Sequence, residues 1–134
     1  MKLNTMLRDM RAITDGAWVR PNGPQDDLEV KARGYTPGYR QRAEETFNGW
    51  QRVYGSPSKV PDEIGARFLA DLLFEHCIID VRGLEHDDGS AVTLAEAREI
   101  AGTVEGQPLY SVFKAAVDLV DARRKADAED IAGN

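Results

Sequence analysis

The chain has 134 residues, 42% hydrophobic and 30% charged, which is enough apolar matter for one core and too much for an intrinsically disordered chain. A single cysteine, Cys77, rules out an internal disulfide, and no apolar run near the N-terminus has the length of a signal peptide or a membrane span, so the expected setting is the cytoplasm. A net charge of −6 would disfavour nonspecific binding of nucleic acid if it were spread evenly.

In chain order, Leu3, Met6, Leu7, Met10 and Ile13 recur at helical spacing, which predicts a short amphipathic arm over residues 1–16 ending before Asp15-Gly16. Residues 17–35 read as a β-hairpin. Ala17-Trp18-Val19-Arg20 leads into the turn-rich Pro21-Asn22-Gly23-Pro24, after which Leu28, Val30 and Ala32 alternate with Glu29, Lys31 and Arg33. Two strands alone are marginal in water, so the hairpin must rest on helices or on another subunit, with Trp18 as the expected anchor.

Residues 36–120 read as a helical core. Thr36 is placed to cap a helix with Pro37 in its first turn, and Tyr39, Ala43, Phe47, Trp50 and Tyr54 form one stripe that predicts a buried face, ending at Gly55-Ser56-Pro57. After Pro61 the strongest apolar signal places Ile64, Phe68, Leu72 and His76 on one face of a central helix, beside Leu69, Leu73 and Cys77. From Asp80 to Ser90 the pattern breaks into an acidic loop, and Thr93-Leu94-Ala95-Glu96 makes a capping box that opens a short helix burying Leu94, Ala97, Ile100 and Ala101. A last helix follows Gly106-Gln107-Pro108 with Leu109, Val112, Phe113, Ala116, Val117 and Val120 as its stripe. Residues 121–134 lack an apolar face and read as a polar extension. The predicted class is therefore mainly α: a single small domain of about four helices with an N-terminal β-hairpin.

The charges are unevenly spread: residues 1–29 carry four basic and five acidic side chains, residues 30–59 six and two, residues 60–134 seven and sixteen. A basic middle beside an acidic C-terminal half fits either ordinary solvated faces or complementary surfaces, within the fold or between copies. The usual catalytic groups are poorly placed. His76 and Cys77 are adjacent on a helix, where neighbours point about 100° apart, and the apolar Ile78-Ile79 that follows would raise the thiol pKa. The run Glu85 to Glu96 has acids at the first, third and twelfth places of a calcium loop, but Gly89 and Ser90 occupy the fifth and sixth in the wrong order. No phosphate-binding motif is present. The basic, aromatic stretch Lys31, Arg33, Tyr35, Tyr39, Arg40, Arg42, Trp50 and Arg52 could bind nucleic acid, but Arg40 and Arg42 point away from the predicted aromatic stripe. No catalytic, cofactor-binding or metal-binding residue is named, and an enzyme is not expected.

Taken together, Asp15-Gly16-Ala17-Trp18-Val19, Leu28-Glu29-Val30-Lys31-Ala32-Arg33, Ile78-Ile79-Asp80-Val81-Arg82-Gly83-Leu84-Glu85, Asp87-Asp88-Gly89, Thr93-Leu94-Ala95-Glu96 and the ending Ala132-Gly133-Asn134 make the chain look like a tail assembly chaperone of long-tailed bacteriophages. The resemblance implies a protein of the host cytoplasm that coats the tape measure protein, helps tail tube subunits polymerise around it, and is absent from the mature virion. It also implies a gene that often yields a longer form by ribosomal frameshifting. A client of long amphipathic helices is best covered by flexible Met, Leu and aromatic side chains, so the candidate partner contacts are Leu3, Met6, Leu7, Met10, Trp18, Arg40 and Arg42. Many weak contacts along one client gain avidity, and self-association is expected with them. The alternatives are a structural component of the tail or head-tail junction, and a small nucleic-acid-binding regulator.

Overall fold

The structure is a computed structural model, described here for residues 15–133. The elements follow in the order β1 (Ala17–Val19), β2 (Glu29–Ala32), α1 (Pro37–Tyr54), a 3-10 turn (Pro57–Lys59), α2 (Asp62–His76), β3 (Ile78–Arg82), α3 (Leu94–Ala101) and α4 (Gln107–Gly133). The fold is mainly α, with an N-terminal hairpin as the sequence predicts.

β1 and β2 pair antiparallel with Ala17 opposite Ala32 and Val19 opposite Val30. The alternation along β2 sets the faces: Val30 and Ala32 are buried, while Glu29 and Lys31 are only half-buried on the other side. A third strand, absent from the sequence reading, completes the sheet. β3 pairs antiparallel with β2, with Val81 opposite Val30, in the order β1-β2-β3 and with an irregularity between Lys31 and Ala32. α2 therefore stops at His76, and the apolar Cys77-Ile78-Ile79 leaves the helix and enters a strand.

α4 packs against β1, β2, α2 and α3. The core lies between these elements: Phe113, Leu73, Val30, Val117, Val120 and Cys77 are its largest fully buried side chains, and the Phe74 and Phe113 rings meet at 4.8 Å. The predicted stripe of α4 faces this core, with Leu109 and Val112 at its margin.

Two predicted faces are corrected. On α2 the buried residues are Ala66, Ala70, Leu72, Leu73 and Phe74, so the helix is turned about its axis from the predicted Ile64, Phe68, Leu72 and His76 face; the small Ala66 and Ala70 allow close approach to the core, and Phe68 turns toward α1. On α3, Ala97 and Ala101 are buried whereas Ile100 is 42% exposed. Over the polar extension α4 continues through Gly133. Its Asp121 is buried and accepts a hydrogen bond from the Tyr35 backbone N–H at 3.2 Å.

Candidate partner-binding surface

α1 begins and ends where its sequence dictates. The Thr36 hydroxyl accepts from the Tyr39 N–H at 3.1 Å, Pro37 fills the first turn, and Gly55 closes the helix in the left-handed conformation at φ 81°. Yet none of its 18 residues is buried. Tyr39, Ala43, Trp50 and Tyr54 are half-buried and Phe47 is 37% exposed, which corrects the expectation of a buried stripe. α1 touches chiefly α2 and the 3-10 turn, and Tyr39 near its start packs against the core.

What holds it is an aromatic cluster. Trp50 meets Phe68 of α2 edge-on with ring centroids 5.1 Å apart, and Phe47 lies 5.5 Å from Trp50 and 6.3 Å from Phe68. One turn before Phe68 on α2, Ile64 is 47% exposed. The result is a shallow apolar strip along the α1–α2 seam, in which Phe47 and Ile64 are exposed and Trp50 and Phe68 half-buried.

The residues singled out from the sequence do not converge. Leu3, Met6, Leu7 and Met10 lie outside the described residues. Trp18 is half-buried on the outer face of the sheet, opposite Lys31, and is not the anchor of the hairpin; Val19, Leu28, Val30 and Ala32 are. The Arg82 guanidinium lies 4.0 Å over the Trp18 ring and donates to both carboxylate oxygens of Glu29 at 3.1 and 3.0 Å, with Arg20 adding a 3.4 Å contact to Glu29. That pairing with Arg82 holds the Glu29 carboxyl below its usual range. Arg40 and Arg42 are exposed near the start of α1, where Arg42 stands 4.0 Å from Glu45.

The aromatic side chains of this stretch are also engaged with other residues. Tyr35 and Tyr39 pack ring to ring at 5.0 Å, the Tyr35 hydroxyl donates to Asp118, and Trp50 is occupied by Phe68. Burial, the Asp118 hydrogen bond and its charge raise the Tyr35 pKa.

Cys77 is fully buried at the C-terminus of α2, and burial pushes its thiol up to about 11, the direction its apolar neighbours predict. The acidic loop is a closed turn: Asp88 accepts from the Ser90 N–H at 2.9 Å and from its hydroxyl at 2.6 Å, and an isolated bridge joins Glu85 to Ala91. The capping box forms as predicted, and His86 joins it through a 2.8 Å contact with Glu96. The Glu96 carboxyl is held low first by the Thr93 backbone and then by His86. Among the described residues no group of three His, Cys, Asp or Glu side chains could hold a metal ion, and no helix is long and apolar enough to cross a membrane.

Two adjoining hollows open at one end of the molecule, where α1 ends, α2 begins and α3 turns into α4. The first, about 430 Å³, is lined by Asp62, Glu63, Arg67 and the Gly102 to Glu105 turn. The second, about 280 Å³, is lined by Ser58, Val60, Leu69, Val104 and others; the two share Asp62 and Val104. Family models, curated proteins and solved structures contain no match to this chain.

Proposed function

We propose that the protein is a non-enzymatic assembly chaperone of the kind its sequence resembles, one that binds the tape measure protein of a phage tail and promotes polymerisation of tail tube subunits around it in the host cytoplasm. The observation that supports this reading is the seam that Phe47 and Trp50 of α1, a helix that buries none of its own residues, form with Ile64 and Phe68 of α2. A long amphipathic helix presents an apolar stripe to water, and an exposed seam between two helices is the surface that such a stripe fits. Aromatic side chains supply large contact area for little lost conformational freedom.

Pull-down of the tape-measure-like protein by the purified chain tests the reading. Ile64 is 47% exposed and lies outside the aromatic cluster that holds α1, so Ile64→Ser leaves α1 in place and weakens client binding at least about tenfold, the loss expected of a central interface side chain. Leu119→Ser, on the exposed face of α4, leaves it unchanged. Retention of the protein in purified particles would favour the structural-component alternative. Salt-dependent oligonucleotide binding weakened by Arg40→Ala and Arg42→Ala would favour the regulator.

A further inference from the structure

Four dipeptides among residues 15–133 place a glycine directly after an Asn or Asp: Asp15-Gly16, Asn22-Gly23, Asn48-Gly49 and Asp88-Gly89. In such a pair the glycine backbone nitrogen, with no Cβ beside it to block the approach, reaches the side-chain carbonyl carbon of the residue before it and closes a succinimide ring. Closure requires that the Asn or Asp backbone can turn and that its side chain is unengaged. An amide is also the better electrophile at neutral pH, where a carboxylate is charged and resists a nucleophile. The fold treats the four pairs differently.

Three of them are held. Gly16 is closely packed, since a Cβ there would run into the Ile79 side chain and stand 3.0 Å from the Ala32 carbonyl oxygen. The Asp88 carboxylate is occupied by the Ser90 N–H and hydroxyl at 2.9 and 2.6 Å, and these bonds keep it ionised by holding it below its usual range. Asn48 and Gly49 lie inside α1, where turning the backbone would break the hydrogen bonds of the adjoining helical turns. Asn22 has none of these restraints. It is exposed, in a turn closed by a single bond from the Gly23 N–H to the Arg20 carbonyl at 3.1 Å. Among the described residues no hydrogen bond engages its side chain. Nothing lies within 4 Å of the place a Cβ on Gly23 would take, so the chain has room to turn.

We propose that Asn22 is a site of spontaneous deamidation, through which the hairpin loop gains a carboxylate and a rerouted backbone as the protein ages. The Gly23 nitrogen gives its proton to hydroxide and forms a bond to the Asn22 Cγ. The bond from Cγ to the side-chain nitrogen then breaks, and that nitrogen takes a proton from water and leaves as ammonia. Water next adds to either carbonyl of the ring and opens it, leaving aspartate or isoaspartate at position 22. Nothing is oxidised or reduced, and water is the sole co-reactant. Isoaspartate carries the main chain through its Cβ, which lengthens the backbone by one carbon and takes the Gly23 N–H out of register with the Arg20 carbonyl. The Arg20 guanidinium is tied to the same loop, donating to the Asp26 carbonyl at 2.8 Å and facing Glu29 at 3.4 Å. β1 pairs with β2 over three residues only, so its pairing is what the rerouted loop loosens. The inference is independent of the proposed client.

Peptide mapping by mass spectrometry tests it, on the full chain kept in mildly alkaline buffer either folded or unfolded in guanidinium chloride. Unfolded, the two Asn-Gly pairs are expected to convert at comparable rates. Folded, Asn22 is expected to convert at least about tenfold faster than Asn48, the factor that about 1.4 kcal/mol of helix opening imposes, and ahead of any isomerisation at Asp15 or Asp88. Its product includes isoaspartate, detected by methyl transfer from S-adenosylmethionine with an isoaspartyl methyltransferase. Asn22→Gln, whose longer side chain closes a ring slowly, keeps the fold and removes this product. Amide hydrogen exchange separates the rerouted backbone from the added charge: the isoaspartate form loses protection over residues 17–19, and a fresh Asn22→Asp variant keeps it. The proposal is overturned by an Asn22 peptide that stays unchanged in the folded protein while the unfolded chain converts it, by an Asn48 peptide that keeps pace, by a product free of isoaspartate, or by β1 protection that ageing leaves unaltered.

Discussion

Burying a carboxylate is tolerated only where donors surround it. Asp121 receives the Tyr35 backbone N–H at 3.2 Å, the Arg124 guanidinium at 2.7 Å and the Lys125 ammonium at 3.2 Å. Gly34 permits the approach, since a Cβ there would stand 2.8 Å from the Asp121 Oδ1. Asp121→Ala strands the Tyr35 N–H, and the loss read from urea unfolding is expected to be about 1–3 kcal/mol. Cys77 gives a residue-scale prediction in pH. Its folded pKa of about 11 lies above the ordinary 9.0, so its contribution is complete below pH 9. It declines as pH rises toward 11, because the unfolded chain releases the proton while the folded one keeps it. The loss is about 2 kcal/mol, and the part due to this thiol disappears in Cys77→Ala when urea midpoints at pH 8 and 10.5 are compared.

The elements whose ends are set by local chemistry were legible from the sequence: Thr36 and Gly55 bound α1, and Thr93 with Glu96 opens α3. Thr93→Ala removes the cap on α3 and is expected to lower stability by about 1 kcal/mol in urea melts. What escaped were the features decided by distant partners. Ile78-Ile79-Asp80-Val81-Arg82 has the β-branched content of a strand, but it follows a helix without a break, and only pairing with β2 shows that it is one. Trp18 suggested an anchor by size, yet strand alternation sends it to the face opposite Val19. The stripe of α1 was visible and its half-burial was not, because periodicity says which residues share a face and not whether anything covers it. That is why the Phe47 seam went unrecognised as a site. At β3's end, Gly83 adopts φ +78° where a side chain would run into the Asp27 carbonyl, so Gly83→Ala is expected to destabilise by at least about 1–2 kcal/mol.

Across the whole molecule, stability is graded. α2 and α4 bury core residues, while α1 buries none of its own and packs through half-buried aromatics. Amide hydrogen exchange is expected to show residues 37–54 opening before α2 and α4, and single-tryptophan variants keeping Trp50 or Trp18 separate the two events by fluorescence. Uniform protection through all four helices would contradict this. The sheet order carries a consequence for synthesis on the ribosome. β2 sits between a strand made just before it and one made long after, and α4, which covers both β1 and β2, is made last. A nascent chain therefore cannot close its core until Val120 has emerged, and translation paused anywhere earlier exposes a hairpin open to protease attack and to capture by the cell's own folding helpers.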